Sequence, residues 1–532
     1  MEHTDVEQSG VIESKSLTDS VDVVPSSTLL TGVRLALVFS AFLISFGLIA
    51  LDQTIIATAL PKIASHFNAV SQLSWIASAY FLPQAAFMPF FGRVLSIAPA
   101  KPVFLLSIGV FEVGSLLCAT APSVSVLIFG RAVAGFGASG VWVSIMSVIA
   151  RVTTMTQRPV LMGLLGALFA VTSIIGPLMG GAFADHVSWR WCFYINLPLG
   201  PISMLAVTIF LPAQPSLMHE GSHFRRWLNL DWFGTFLSLA MVTTLLLALQ
   251  WGGNTKPWSD PGVIVCLVLF ALLLVVFLLW EYKRGSTAIL PLRMLLRTNV
   301  LGAFIEASFI QLSFVVSVYY LPLLYQVRGH SATKSGIDIL PFMLSGMIAS
   351  LVAGGIASAK GVVWPFLLFF PLIASAGFGL LFTSSLESGT KRLIGFQILV
   401  GVGLGAPVQN TLLVAQAEYV NDEAFIPLAT SLITFMQCIG GSIGLAIAGS
   451  ISTSQLRTQL AHYAPELSQQ EVIAVLSSVE AIFSLPPDRI ASVQRAYTAA
   501  IDRVMIAGVP FTVLASIAAI LISRKKLPQK ST

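Results

Sequence analysis

The sequence predicts an all-α integral membrane protein, and three observations carry that prediction. Of the 532 residues, 56% are hydrophobic and only 10% charged, against about 25% charged in a soluble globular chain. The mean hydropathy is +0.86, which is more apolar surface than a water-soluble core can hide. The apolar residues also fall in stretches long enough to cross about 30 Å of hydrocarbon as helices, with short polar loops between them.

Fourteen such stretches can be read, at 34–57, 72–92, 103–120, 124–147, 160–183, 192–212, 232–251, 261–281, 300–324, 335–357, 363–384, 392–415, 427–451 and 503–523. An even count puts both chain ends on one side. With the ends inside, inner segments hold 17 of the 29 Lys and Arg, while short outer loops hold 7. The ends are therefore expected to be cytoplasmic. The same placement explains the pI of 9.0: the basic residues mark topology, and no nucleic-acid partner is expected. Cys118, Cys192, Cys266 and Cys438 all fall in apolar segments without metal spacing, so neither a disulfide framework nor a metal is expected.

The expected organisation has five parts. Residues 1–32 are polar and lack an apolar signal segment, so they read as a disordered cytoplasmic tail. Residues 33–212 form a first six-helix half, and 213–299 a linker carrying two inserted helices. Residues 300–523 form a second six-helix half with an outer loop at 452–502, and 524–532 a cytoplasmic tail. Inside the outer loop, Ser468 and Glu471 have capping-box spacing ahead of Val472, Ile473, Val475, Leu476 and Val479, which predicts a short amphipathic helix.

The division into halves rests on an internal parallel repeat. Leu60-Pro61 returns as Leu321-Pro322 and Leu82-Pro83 as Leu340-Pro341. Arg131 with Gly135 and Gly137 returns as Gln397 with Gly401 and Gly403. Gly176 and Gly180 return as Gly440 and Gly444. The offsets are 261, 258, 266 and 264 residues. Four echoes in one order at nearly one offset predict a 6 + 2 + 6 arrangement around a site near the midplane, the plan of a transporter with alternating inward and outward access.

A few polar residues inside the spans are candidates for function. Asp52 is either a titrating or gating group or a helix-end residue reaching interfacial water, and its position leaves both open. Arg131 lies about two turns into its span, too deep for easy snorkelling, so it needs a carboxylate or carbonyl partner. Glu112 and Glu306 are the other intramembrane carboxylates and join Asp52 and Arg131 as proton-coupling candidates. Gln84, Gln311, Gln409 and Gln437 are candidates for a substrate cavity, or else bond across helices. Gly176, Pro177, Gly180 and Gly181 form a kinked, closely packing hinge face.

At these residues the sequence resembles the major facilitator superfamily. It is most similar to the fourteen-span drug:proton antiporters and their fungal toxin and metabolite exporters. Leu51–Pro61 resembles the family's opening signature, and Arg131 with its glycines resembles the fourth-span motif associated with proton coupling. Gly176–Gly181 resembles the fifth-span antiporter motif, Trp189–Pro198 the segment entering the sixth span, and Gly395–Gly403 the twelfth. Gly92, Arg93 and Lys101 match the inner-loop motif, with Ser96 where that motif has Asp. Thr172 likewise replaces a Gly of the antiporter motif.

The resemblance implies a proton-coupled antiporter, not an enzyme, with no cofactor. It implies a small amphipathic substrate such as a toxin, drug or secondary metabolite, and proton and lipid-bilayer partners. A monomer in the plasma membrane is expected, with the vacuolar membrane as the alternative. The sequence has no G-x-x-x-x-G-K-[ST] run to hold ATP and no H-E-x-x-H. The competing readings are a siderophore or amino-acid carrier on the same scaffold and a non-transporting membrane sensor. The sensor reading expects a larger soluble domain than the chain offers.

Overall fold

The computed structural model describes residues 29–67, 73–214, 227, 230–253 and 256–526. Its helices are α1 (Gly32–Phe67), α2 (Leu73–Ile97), α3 (Ala100–Ala119), α4 (Val124–Val152), α5 (Arg158–His186), α6 (Trp191–Tyr194) and α7 (Asn196–Phe210). Then come α8 (Trp232–Trp251) and α9 (Pro261–Arg284). The chain continues as α10 (Thr298–Val327), α11 (Ala332–Asp338), α12 (Leu340–Lys360), α13 (Trp364–Phe382), α14 (Thr390–Ala417), α15 (Ile426–Tyr463), α16 (Gln469–Ser477) and α17 (Pro487–Ala519). Residues 1–28, 215–226 and 527–532 lie outside the described set, and with them most of the two expected tails and part of the expected linker.

Among the described residues, thirteen helices are long and apolar enough to cross a membrane. The expected fourteenth is α2, a helix that is not among the thirteen. Pro83, Pro89, Gln84 and Arg93 dilute its hydropathy, although it runs 25 residues and packs between other helices. Such long helices are what a bilayer demands, since each satisfies its own backbone hydrogen bonds.

The packing pattern is drawn twice. In the first set α1 packs on α5 and α7, α4 on α2 and α3, and α3 on α7. In the second, α10 packs on α15 and α17, α14 on α12 and α13, and α13 on α17. The echoed glycines do the same work in each. A Cβ on Gly135 would collide with the backbone of Tyr80 in α2, and one on Gly401 with Phe342 in α12. Gly137 is pressed on α3 at Phe111, as Gly403 is on α13 at Ala374. Gly180 meets Ile55 of α1, and Gly444 meets Leu312 of α10.

The two sets join through α5 with α12 and through α2 with α15. Both described chain ends lie on one face, called here the terminal face. There Leu30 N–H donates to Val152 O at 2.8 Å, and Ser523 N–H donates to Asn299 Oδ1 at 2.7 Å. The apolar core on this face is continuous across both sets, taking in Phe39, Ile97, Leu290, Ala357 and Leu428. Toward the far face it divides into two clusters. One is built on Ile55, Leu127 and Phe193, the other on Leu324, Leu456 and Ile501.

The expected outer loop 452–502 is largely helical. α15 continues to Tyr463, and α17 begins at Pro487 rather than near 503. Helix propagates wherever tertiary contacts reward it, and here the two extensions pack on each other. The short helix within this region is α16. Its capping box is formed, with Ser468 Oγ accepting from Glu471 N–H and Glu471 Oε2 accepting from Ser468 N–H. It ends at Ser477, and Val479 belongs to a following 3-10 turn. Bonds from Ser468 and the nearby Arg489 hold Glu471 below the usual carboxylate range. That stabilisation is present at neutral pH and is lost as pH falls through the lowered value. Ser468→Ala is expected to weaken the cap by about 1 kcal/mol. Amide hydrogen exchange over 469–477 would report it as faster exchange confined to that helix.

Candidate functional site

The polar centre of the first set is built by α1, α2 and α4. Arg131 lies two turns into α4, and the glycines after it bring α2 and α3 into close contact with that helix. Arg131 is 0% exposed and Asp52 1%. Arg131 Nη1 donates to Asp52 Oδ2 at 2.5 Å, and Nε donates to Ile76 O at 3.3 Å. The Tyr80 ring covers the guanidinium, with 4.4 Å from Cζ to its centroid, and Phe193 stands at 5.9 Å. Charge-assisted bonds and a cation–π face in a dry site are the arrangement a buried Arg needs. Arg131 Nη2 and Asp52 Oδ1 make no hydrogen bond. Asn196 stands beside Asp52 and donates from Nδ2 to Ser115 Oγ at 3.0 Å.

Glu112 on α3 joins the same centre. Both of its carboxyl oxygens are buried without a hydrogen-bond partner. They press on Gly200 of α7, where a Cβ would collide with them, and lie within electrostatic range of Asp52. Glu112 is thus a second carboxyl near the ion pair, held at the contact of α3 with α7. Gln84 approaches from α2, its Oε1 accepting from Gln53 Nε2 at 3.2 Å.

The other candidates lie elsewhere. Glu306 on α10, in the second set, is fully buried, with both oxygens lacking a partner. Gln311 faces Gly441 of α15. Gln409 faces Gly166 of α5 across the seam between the sets, and Gln437 Nε2 donates to the neighbouring Val408 O at 3.2 Å. A cavity of about 550 Å³ opens on the far-face extension, bordered by Phe382, Thr458, His462, Tyr463, Asp502 and Arg503. None of the four glutamines lines it.

Several expectations are corrected here. Asp52 neither ends its helix nor reaches interfacial water: α1 runs on to Phe67, and the side chain is buried against Arg131. Asp52 and Arg131 close on each other within one set. In the hinge motif, Gly176 and Gly180 pack on Thr54 and Ile55 of α1, and Thr58 Oγ1 donates to Pro177 O at 3.0 Å. Gly181 faces open space and is no part of that contact. In the inner-loop motif, Gly92 meets Ser431 and Pro427 at the start of α15. Lys101 Nζ donates to Thr208 O and Leu211 O, both at 2.7 Å, closing the end of α7.

Sequence reasoning missed Tyr80, Gln53 and Asn196. Asn196 carried a signal, being a polar residue within the singled-out segment Trp189–Pro198.

A bundle of long apolar helices that packs in two matching sets, with an ion pair sealed inside one of them, defines a polytopic membrane transporter rather than an enzyme. The chain belongs to the Major Facilitator Superfamily, whose family model matches residues 42–445. It is 38% identical over 483 residues to the MFS-type transporter astH of Aspergillus oryzae, covering 91% of this chain and 85% of that relative. It is 36% identical to the MFS-type efflux pump MFS1 of Arthroderma benhamiae, covering 89% and 88%. It is 37% identical to the efflux pump hmp6 of Hypomyces subiculosus, covering 84% and 79%. Among solved structures, the human organic anion transporter MFSD10 (TETRAN) shares the fold at a TM-score of 0.57 and 13% identity, covering 93% of this chain and all of that one.

Proposed function

We propose that the chain exports a small amphipathic organic molecule in exchange for protons, and that the buried Asp52–Arg131 pair couples the two movements. The pair is the observation that carries this reading. A guanidinium stays charged at any working pH, so it responds only to whether its partner is charged. When Asp52 takes a proton, Arg131 loses its counter-charge, and α1 is freed to move against α4. When the pair re-forms, the proton is expelled. Glu112, close by and unpartnered, passes protons to or from Asp52. Glu306 is a separate proton-binding position in the second half.

The fold is divided into halves 33–212 and 300–523, with the two inserted helices between them. Gln84, Gln311, Gln409 and Gln437 line the substrate path once the halves separate. The protein works as a monomer in the plasma membrane with cytoplasmic ends. The substrate is a toxin, drug or secondary metabolite, a reading supported by the efflux pumps among its fungal relatives. Preloaded cells or proteoliposomes test the drive. Efflux is expected to collapse on adding a protonophore and to ignore ATP depletion at a clamped pH gradient. Efflux that survives the protonophore and follows ATP would sink this reading.

A further inference from the structure

We propose that Tyr80 joins the substrate path to the ion pair: its unbonded hydroxyl takes a carbonyl or hydroxyl oxygen of an uncharged substrate, and its ring carries that contact to Arg131. The inference rests on the export reading above and names the group by which the exported molecule is held.

Tyr80 belongs to the ridge of α2 that runs along the seam between the sets. Tyr80, Gln84, Met88 and Gly92 recur at every fourth position and so form one row on the helix surface. Gly92 packs against Ser431 and Pro427 of α15, and Met88 Sδ lies 3.8 Å from Cys438 Sγ on the same helix. Gln84 Oε1 accepts from Gln53 Nε2 of α1 at 3.2 Å. Tyr80 ends the row and is 0% exposed. α4 presses on its backbone at Gly135, which fixes where the ring stands. The ring covers the Arg131 guanidinium, 4.4 Å from Cζ to the centroid. The hydroxyl on that ring is buried and makes no hydrogen bond. Asp52 and Gln53 of α1 and Cys438 of α15 are its neighbours. One side chain thus touches the pair and looks toward the second set.

A buried hydroxyl left without a partner is costly. A residue placed only to cover Arg131 would be Phe, which offers the guanidinium the same ring face without that cost. The hydroxyl therefore serves a partner that comes and goes. A phenol both donates and accepts, so it suits a carbonyl or a hydroxyl. The groups around it are neutral too: Gln84 and Gln53 on this side, and Gln437 next to Cys438 on the other. An ammonium would find its carboxylate spent, because Asp52 Oδ2 already holds Arg131. An oxygen bonded to Tyr80 steadies the ring on the guanidinium, so occupancy of the path is felt at the pair.

The test separates the hydroxyl from the ring. Cells expressing the full-length chain are loaded with Nile red, an uncharged carbonyl dye, or with ethidium, a permanent cation. Initial efflux is measured over a range of loads at matched surface expression. The parent is expected to export Nile red and to leave ethidium inside. Tyr80→Phe keeps the ring on Arg131 and is expected to raise the apparent KM for Nile red about tenfold, with the limiting rate and the protonophore sensitivity unchanged. Tyr80→Leu removes the ring as well and is expected to lower the limiting rate about tenfold. If Tyr80→Leu fails to reach the surface, Tyr80→Phe alone decides. An unchanged KM in Tyr80→Phe overturns the proposal, as does a parent that retains Nile red or exports ethidium equally fast. A loss of limiting rate in Tyr80→Phe equal to that in Tyr80→Leu also overturns it, marking Tyr80 as packing alone. Nile red export by the parent that ignores a protonophore would strike the coupling reading instead, while the KM shift would still uphold the hydroxyl contact.

Discussion

Arg131→Ala is expected to lower proton-driven efflux at least about tenfold at matched surface expression. The cause is local. Asp52 Oδ2 takes its 2.5 Å bond from Arg131 Nη1, the buried guanidinium that balances its charge. Breaking a buried pair by removing one partner costs about 3–5 kcal/mol if the remaining charge persists. Asp52 escapes that cost by keeping a proton, and a carboxyl that never gives up its proton cannot couple. Arg131→Lys is expected to recover a fraction of the rate, since an ammonium supplies the charge but cannot also reach Ile76 O in the guanidinium's geometry. Asp52→Asn should insert normally and lose pH-driven transport, because it keeps the shape and removes the titration. Surface biotinylation alongside efflux separates the two effects. Full-rate efflux by Arg131→Ala would reduce the residue to packing.

The second large effect contrasts two neighbouring glycines. A Cβ at Gly180 would run into Ile55 O of α1, whereas one at Gly181 meets nothing. Gly180→Ala is therefore expected to pry α5 from α1, destabilising the fold by about 1–3 kcal/mol and suppressing transport. Gly181→Ala is expected to stay within about 0.5 kcal/mol of the parent. Thermal unfolding in detergent together with efflux measures both. Equal effects at the two positions would mean that the motif works through backbone flexibility rather than through contact.

Class and repeat were legible in the sequence because bilayer physics writes them there. A spanning segment must be an apolar helix, and close helix approach demands glycine at the point of contact. Arg131, Asp52, Gly135 and Gly176 were each visible for that reason. The reach of the helices was not. Hydropathy marks the apolar window, while α1, α15 and α17 continue beyond it on tertiary contacts that no local pattern records. Partnership was hidden too. Tyr80 reads as an ordinary aromatic, and Asp231 and Glu281 sit at the ends of apolar runs where acids are common. Only the packing of α8 on α2 and of α9 on α8 reveals them as buried.

The apolar core that both halves share on the terminal face has a thermal consequence. In the export cycle proposed above, that face parts and admits water to Leu428, Ala357 and their neighbours. Wetting apolar area raises heat capacity. The equilibrium between the two access states is therefore curved in temperature rather than linear. Transport rates plotted against reciprocal temperature are expected to bend, and variants that replace seam residues with polar ones should straighten the plot.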